Sequence, residues 1–308
     1  MAFAFARLLE DDRVIGVSDL PAAYDHARDA LTRPPRVWAR FDGKRPLVMG
    51  IINVTPDSFS DGGQFETTDA AIAAGLAIKA AGGDIVDVGG ESTRPNSAPT
   101  PPAAERARVI PVVRALAAAG AVVSIDTRNA ATMAEAIKAG ATIVNDVSGL
   151  AHDPDAASVV AESGCAVIVM HMRGTPATMM GLASYGDVAV DVARELALRV
   201  ESAETAGIAR SQIAIDPGIG FAKTGADNVA LLSRLGVLLN LGLPLVVGAS
   251  RKAFIGRLGG ADIAIQRDPG SLAAALFAAL NGAAVLRVHD VPATVQAIRV
   301  WRSIIESG

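Results

Sequence analysis

The sequence predicts an α/β protein, a (β/α)8 TIM barrel preceded by an N-terminal extension and hairpin. Three observations predict it. The chain has 308 residues, a length that suits one such barrel and also permits two ordinary domains. Hydrophobic residues make up 51% and aromatic residues only 4%. The core must therefore be built from Ala, Val, Ile and Leu, as in strands buried on both faces beneath helices. From residue 47 on, short aliphatic runs that end in polar or glycine residues alternate with Ala-rich amphipathic stretches.

The predicted strands are LVMGIIN (47–53), DIVDVG (84–89), AVVSID (121–126), ATIVND (141–146), AVIVMH (166–171), QIAID (212–216), LPLVVG (243–248) and AVLRVH (284–289). Helices are predicted near 68–81, 102–119, 129–139, 154–163, 187–206, 226–239, 270–281 and 291–305. This alternation implies parallel strands joined by right-handed crossovers. Eight units favour a closed barrel, with an open doubly wound sheet as the alternative. No linker divides residues 46–308, which read as one domain. Residues 1–45 stand outside the repeat. Two short extended runs flank Asp42-Gly43, a favoured hairpin turn, and such a hairpin is expected to close the barrel floor. Residues 1–34 are mixed and polar and read as a helical extension or a disordered tail.

Composition narrows the function classes. The net charge is −4 and no long basic run occurs, which argues against a nucleic-acid partner. The single cysteine, Cys165, excludes an intrachain disulfide and a Cys-based zinc site. Lying in CAVIVM, it reads as a small buried hydrophobe and suits a reducing compartment. The opening residues lack the features of a signal peptide, and no apolar run is long enough to span a bilayer. A cytoplasmic protein without a membrane partner is expected.

Polar residues gather at the C-terminal ends of the strands: Asn53, Asp87, Asp126, Asn145, Asp146, His171, Asp216, Arg287 and His289. Any one of them could cap the next helix. A ring of them at most strand ends points instead to a pocket on the C-terminal face, where barrels of this class carry their chemistry. Asp126, Asn145 and Asp216 offer acceptors, and Asn145 also offers donors, a set suited to a flat heterocycle with adjacent N–H groups. Arg287 and His289 are two apart on one strand and so share a face, which suits phosphate or pyrophosphate; the alternative is an ion pair with a neighbouring carboxylate. In VGASRKAFIG, Ser250, Arg251 and Lys252 lie just past the seventh strand, where a helix start would offer free N–H groups to an anion. Two long loops, NVTPDSFSDGG and GGESTRPNSAPTPP, exceed the usual strand-to-helix turn and read as functional. No His/Cys metal spacing is present, but magnesium needs none.

Taken together these segments resemble the dihydropteroate synthase family. MGIINVTPDSFSDGG (49–63) and DIVDVGGESTRP (84–95) look like its first two signatures. SIDT (124–127), NDVSG (145–149), MHMRGTP (170–176), DPGIGF (216–221), GASRK (248–252), GSLAAA (270–275) and RVHDV (287–291) follow in order. The resemblance covers roughly 46–305 and implies a homodimeric, magnesium-using, pterin-binding catalytic barrel in folate synthesis. That family condenses 6-hydroxymethyl-7,8-dihydropterin pyrophosphate with p-aminobenzoate, by substitution at the pterin methylene through a pterin cation. Carried over by position, Asp126, Asn145, Asp216 and Lys252 hold the pterin. Asn53, Thr93, Arg287 and His289 hold the pyrophosphate, with Asn53 also on Mg2+. Asp61 and Arg94 lie on closing loops, and with Lys252 and Asp126 they are the expected catalytic residues. Phe59 and Pro95 flank the p-aminobenzoate ring. Ser250, Met170 and Phe221 are further expected substrate contacts. The chain departs from the pattern at Ala253, often a serine that contacts the p-aminobenzoate carboxylate. Two rival readings are a pterin-binding methyltransferase-type barrel and a non-catalytic pterin-binding paralogue. Neither needs Asp61, Arg94, Lys252, Arg287 and His289 together.

Overall fold

The computed structural model describes residues 5–7, 14–16, 19–25, 28, 37–54, 68–93 and 100–307. Two short strands, β1 (Phe5–Arg7) and β2 (Val14–Gly16), pair antiparallel, where the sequence suggested a helix or a tail. The aliphatic runs that follow form β3 (Leu47–Asn53), β4 (Ile85–Gly89), β5 (Val123–Asp126), β6 (Ile143–Asp146), β7 (Ala166–Met170), β8 (Ile213–Asp216), β9 (Val246–Val247) and β10 (Val285–Val288). Every pairing among these eight is parallel, in the order β8-β7-β6-β5-β4-β3-β10-β9. A bridge between Ile215 and Leu245, with the Ile215 N–H donating to the Pro244 carbonyl at 2.9 Å, joins the two ends and closes the barrel. β9 is shorter than the 243–248 run suggests because Pro244 has no N–H for a ladder.

The helices are α1 (Thr68–Ala80), α2 (Pro102–Ala118), α3 (Ala130–Ala139), α4 (Ala156–Ser163), α5 (Val188–Thr205), α6 (Gly225–Ser233), α7 (Gly236–Leu239), α8 (Ala253–Gly259), α9 (Asp268–Leu280) and α10 (Val291–Glu306). Their ends follow local chemistry. α5 starts on Asp187, whose carboxylate accepts from the N–H groups of Ala189 and Val190. α3 and α4 stop at Gly140 and Gly164, both left-handed as a C-terminal glycine allows. The predicted helix over 226–239 is two helices, broken just before Gly236, a weak helix former. No helix among the described residues is long and apolar enough to cross a membrane.

Strand alternation sorts the core into two layers. Leu47, Met49, Ile85, Ile143, Ile168 and Val285 point inward and pack together in the lower barrel. Val48, Ile52, Val86, Ile125, Val144 and Val167 point outward into the packing with the helices. Cys165 belongs to that outer layer, and burial pushes its thiol upward.

Trp38 is only 3% exposed and packs on the inner layer, its indole N–H donating to the Gln212 carbonyl at 2.8 Å. It pairs with Phe41 through two backbone hydrogen bonds, across Ala39 and Arg40 at φ 48° and 76°. The tight turn thus sits at Ala39-Arg40 and not at Asp42-Gly43. Burial of the indole sets this register, and the Asp42 carboxylate instead accepts from the Lys44 N–H at 3.1 Å. Removing such a side chain costs about 3–5 kcal/mol. Trp38→Ala is therefore expected to lower the urea midpoint sharply; an unchanged midpoint would show that the indole does not support the barrel.

Candidate active site

The inward-facing positions change character toward the strand ends. Above the aliphatic layer come Asp87 on β4, Asp126 on β5, Asn145 on β6, Met170 on β7, Asp216 on β8 and Arg287 on β10. Register holds several of them level: Asp126 pairs with Gly89 and Asn145, and Met170 with Asp216.

Arg287 spans the pocket. Its Nε donates to Asp87 Oδ2 at 2.7 Å and its Nη2 to Asp126 Oδ2 at 2.5 Å. Asn145 Nδ2 also donates to Asp87 Oδ2, at 3.1 Å. The carboxylate pairing weighed from sequence is thus what the structure displays, doubled. Burial works against the Arg287 charge, but Asp87 and Asp126 outweigh it and raise its pKa further. Burial pushes Asp126 up to about 7, opposed by Arg287 and reinforced by Asp87, Glu105 and Asp146. The Asp87 side chain is fully buried, and its Oδ1 has no hydrogen-bond partner.

Across the ring, Asp216 Oδ1 accepts from the Gly218 N–H at 2.6 Å. Burial raises the Asp216 pKa, against the pull of that N–H, Lys252 and Arg287. Lys252 donates to the Ile219 carbonyl and stands 4.4 Å from the Phe221 ring centroid. Burial lowers it to about 8, with Asp216 opposing. Met170, Phe221, Val147, Met172, Met179 and Ala222 form one apolar cluster beside these polar groups. A flat, polar-edged ligand would meet hydrogen-bonding groups at its edge and apolar side chains on a face.

At the rim, His289 Nδ1 is 2.9 Å from Ser250 Oγ, which also accepts from the His289 backbone N–H. The serine hydroxyl can donate to Nδ1 or accept from Nδ1–H, and either way it fixes the orientation of the His289 ring. α8 begins at Ala253, as the segment after Lys252 suggested. Arg251 turns away with φ 59° and forms a two-armed pair with Asp268 at 2.7 and 2.9 Å. Asn53 ends β3 and Thr93 follows shortly after β4, and both are half-buried. Asp61, Arg94, Phe59 and Pro95 lie outside the described residues.

Sequence reasoning missed two supports. Arg128 forms a buried pair with Glu91, both contacts at 2.9 Å, and Glu91 also accepts from the Thr100 N–H. That ties the chain at 91 to the chain at 100. Lys223 and its partners, described below, brace the loop after β8. Lys223 in GFAKTG offered a faint signal: a lysine in a glycine-rich loop at the pocket end of a barrel.

Comparison with known proteins bears on this arrangement. Residues 49–289 match the pterin-binding enzyme family, from β3 through His289. The Mycobacterium leprae dihydropteroate synthase is 47% identical over 267 residues, covering 85% of this chain and 94% of that protein. The chain belongs to the dihydropteroate synthase family. Among solved structures, the Xanthomonas albilineans dihydropteroate synthase with 4-aminobenzoic acid superposes with a TM-score of 0.82 at 46% identity, covering 89% of this chain and 98% of that one. A second structure of a dihydropteroate synthase from that organism, in complex with 7,8-dihydropteroate, has a TM-score of 0.78 at 45% identity, covering 86% and 95%. The pterin-binding family match, residues 49–289, thus contains every predicted site residue, while residues 1–48 precede it.

Proposed function

We propose that the chain condenses 6-hydroxymethyl-7,8-dihydropterin pyrophosphate with p-aminobenzoate to give 7,8-dihydropteroate and pyrophosphate. The observation that carries this reading is the ring of Asp126, Asn145, Asp216 and Arg287 on the inner ends of the strands, completed by Lys252 just before α8. Asp126, Asn145 and Asp216 would pair with the N–H edge of the pterin, and Lys252 with its carbonyl. Met170 and Phe221 would lie against the ring. Arg287, His289, Ser250, Thr93 and Asn53 would meet the pyrophosphate.

The methylene C–O bond breaks with its electron pair leaving on pyrophosphate. The aryl amine then forms the C–N bond and gives up a proton. Asp126 and Asp216 favour positive charge spread into the pterin, and Arg287 and His289 favour the leaving anion. The amine is neutral at working pH, so no strong base is required. Asp61, Arg94, Phe59 and Pro95 would complete the site and exclude water from the cation. At Ala253 the backbone N–H replaces a side-chain contact to the p-aminobenzoate carboxylate.

Magnesium fits as the cofactor. Among the described residues no cluster of three or more His, Cys, Asp or Glu is placed to hold a metal. Asn53 offers one amide oxygen at the rim, as suits an ion whose other ligands are phosphate oxygens and water. Bound there, magnesium would neutralise charge on the leaving group.

The assay is pyrophosphate release from the pterin substrate with and without p-aminobenzoate. Release that depends on both supports the reading. Pterin binding without release would favour the non-catalytic paralogue, and methyl transfer would favour the methyltransferase-type barrel. A homodimer is part of the proposal, supported by the solvent-exposed Ile263, Ile265, Phe277 and Leu280 along α9 and the segment before it. Sedimentation at twice the chain mass is expected, and a monomer at working concentration would overturn it. A cytoplasmic location is likewise proposed, in keeping with the buried free thiol of Cys165.

A further inference from the structure

The loop from Asp216 to Lys223 carries much of the candidate pocket and is backbone-strained. Gly218, Gly220 and Ala222 all have left-handed φ, at 66°, 84° and 49°. For alanine that conformation costs about 1–2 kcal/mol. A Cβ on Gly218 would lie 2.0 Å from the His171 carbonyl oxygen, so the loop is pressed against the end of β7. Something must hold it there, and the side chains behind it do so.

Lys223 is 3% exposed, and its Nζ reaches three acceptors: His171 Nδ1 at 2.9 Å, the Phe221 carbonyl at 2.9 Å and the Gly218 carbonyl at 3.2 Å. Three acceptors match the three protons of an ammonium group. An ammonium has no acceptor, so while Lys223 is charged Nδ1 of the fully buried His171 receives its hydrogen bond and Nε2–H donates to Glu195 at 3.0 Å. Burial lowers Lys223 to about 7, with Asp216 opposing. Burial and Lys223 hold His171 neutral, down to about 3, against the pull of Glu195. Glu195 is also bound by Arg173, whose guanidinium stacks 3.9 Å over the Tyr185 ring. The Tyr185 hydroxyl closes the set by donating to the Ala222 carbonyl at 2.8 Å. On the opposite side the same loop presents Asp216, the Ile219 carbonyl that receives Lys252, and the Phe221 ring beneath Lys252.

We propose that Lys223 is a positioning residue for the pterin pocket: seated on neutral His171, it clamps the 216–223 loop so that Phe221 and the Ile219 carbonyl hold Lys252 in the ring. The proposal rests on the pterin-binding reading above. Lys223 touches no substrate; it acts through Lys252, Phe221 and Asp216.

The test is calorimetric titration of the full chain with 6-hydroxymethylpterin, counting sites per folded molecule. Lys223→Met keeps the aliphatic stem and removes all three donors, and binding should weaken roughly tenfold or more. His171→Asn retains an acceptor for Lys223 and should bind nearly as the unaltered protein does, whereas His171→Leu should resemble Lys223→Met. That contrast separates positioning from packing, since leucine fills the space better than asparagine. In turnover, KM for the pterin substrate should rise more than kcat falls. Tyr185→Phe loses one hydroxyl and keeps the ring, so it carries the test if Lys223→Met does not fold. It should weaken binding in the same direction by a smaller factor. Unaltered affinity in Lys223→Met and His171→Leu, or in Tyr185→Phe where those fail to fold, overturns the proposal. Failure of the unaltered protein to bind the pterin would instead overturn the functional reading beneath it.

Discussion

Asp216→Asn should bind a pterin far more weakly than the unaltered protein, and should also be more stable. The binding loss follows from replacing the acceptor that faces the pterin N–H edge with an amide. Loss of a charged hydrogen-bond partner in a desolvated site costs roughly 2–4 kcal/mol, a factor of about 30 to 700 in affinity. The gain in stability follows from the sign of the pKa shift. Burial raises Asp216, so the folded chain holds this proton at pH values where the unfolded chain has released it. The anion is therefore an unfavourable occupant near neutrality, and its cost is relieved as pH falls through the folded pKa. Asparagine removes that cost while keeping an oxygen for the Gly218 N–H, which now lies 2.6 Å from the carboxylate. Calorimetry with a pterin and a thermal melt at neutral pH check both halves. Unchanged affinity would remove Asp216 from the site. A lower melting temperature would show that Lys252 and the Gly218 N–H stabilise the anion more than burial penalises it.

Much of this arrangement was legible because the barrel repeats one unit. Each aliphatic run carries its own period, and a polar residue at its end advertises the inward face. Asp126, Asn145, Asp216 and Arg287 were all found that way, and register then levels Asp126 with Asn145. What periodicity could not reveal is pairing across the fold. Arg287 and Asp87 are 200 residues apart in sequence, and nothing local says that the arginine bridges two carboxylates. Glu195, inside α5, reaches back to His171 and Arg173 from the middle of an amphipathic helix, where it reads as a solvated face. Lys223 was hidden for the same reason. The turn at Ala39-Arg40 was misplaced because local propensity favours Asp42-Gly43, while the deciding force is long-range burial of Trp38.

Arg287→Met should cut turnover about a hundredfold or more and make stability depend steeply on pH. Two buried carboxylates, Asp87 and Asp126, share this one guanidinium at 2.7 and 2.5 Å. Removing one partner of a buried ion pair costs about 3–5 kcal/mol, because the remaining charge loses its compensation. The carboxylates respond by taking up protons. Asp126 already lies at about 7 with the arginine present, and loss of Arg287 removes the first influence that lowers it. Its folded pKa then rises further above an unfolded value near 4. In that window the folded chain binds the extra proton, so stability falls as pH rises, and falls further past neutrality. The variant should therefore unfold at lower urea at pH ~8 than at pH ~6, by a wider margin than the unaltered protein. Adding Asp87→Asn to Arg287→Met removes one of the orphaned charges and should recover part of the lost stability without restoring turnover. Turnover itself should drop about a hundredfold or more, the scale of losing one preorganised donor to a developing anion. A urea midpoint no more sensitive to pH than that of the unaltered protein would mean that Asp87 and Asp126 do not depend on Arg287. Retained turnover in a folded Arg287→Met variant would mean that the guanidinium serves those carboxylates alone and not the leaving pyrophosphate.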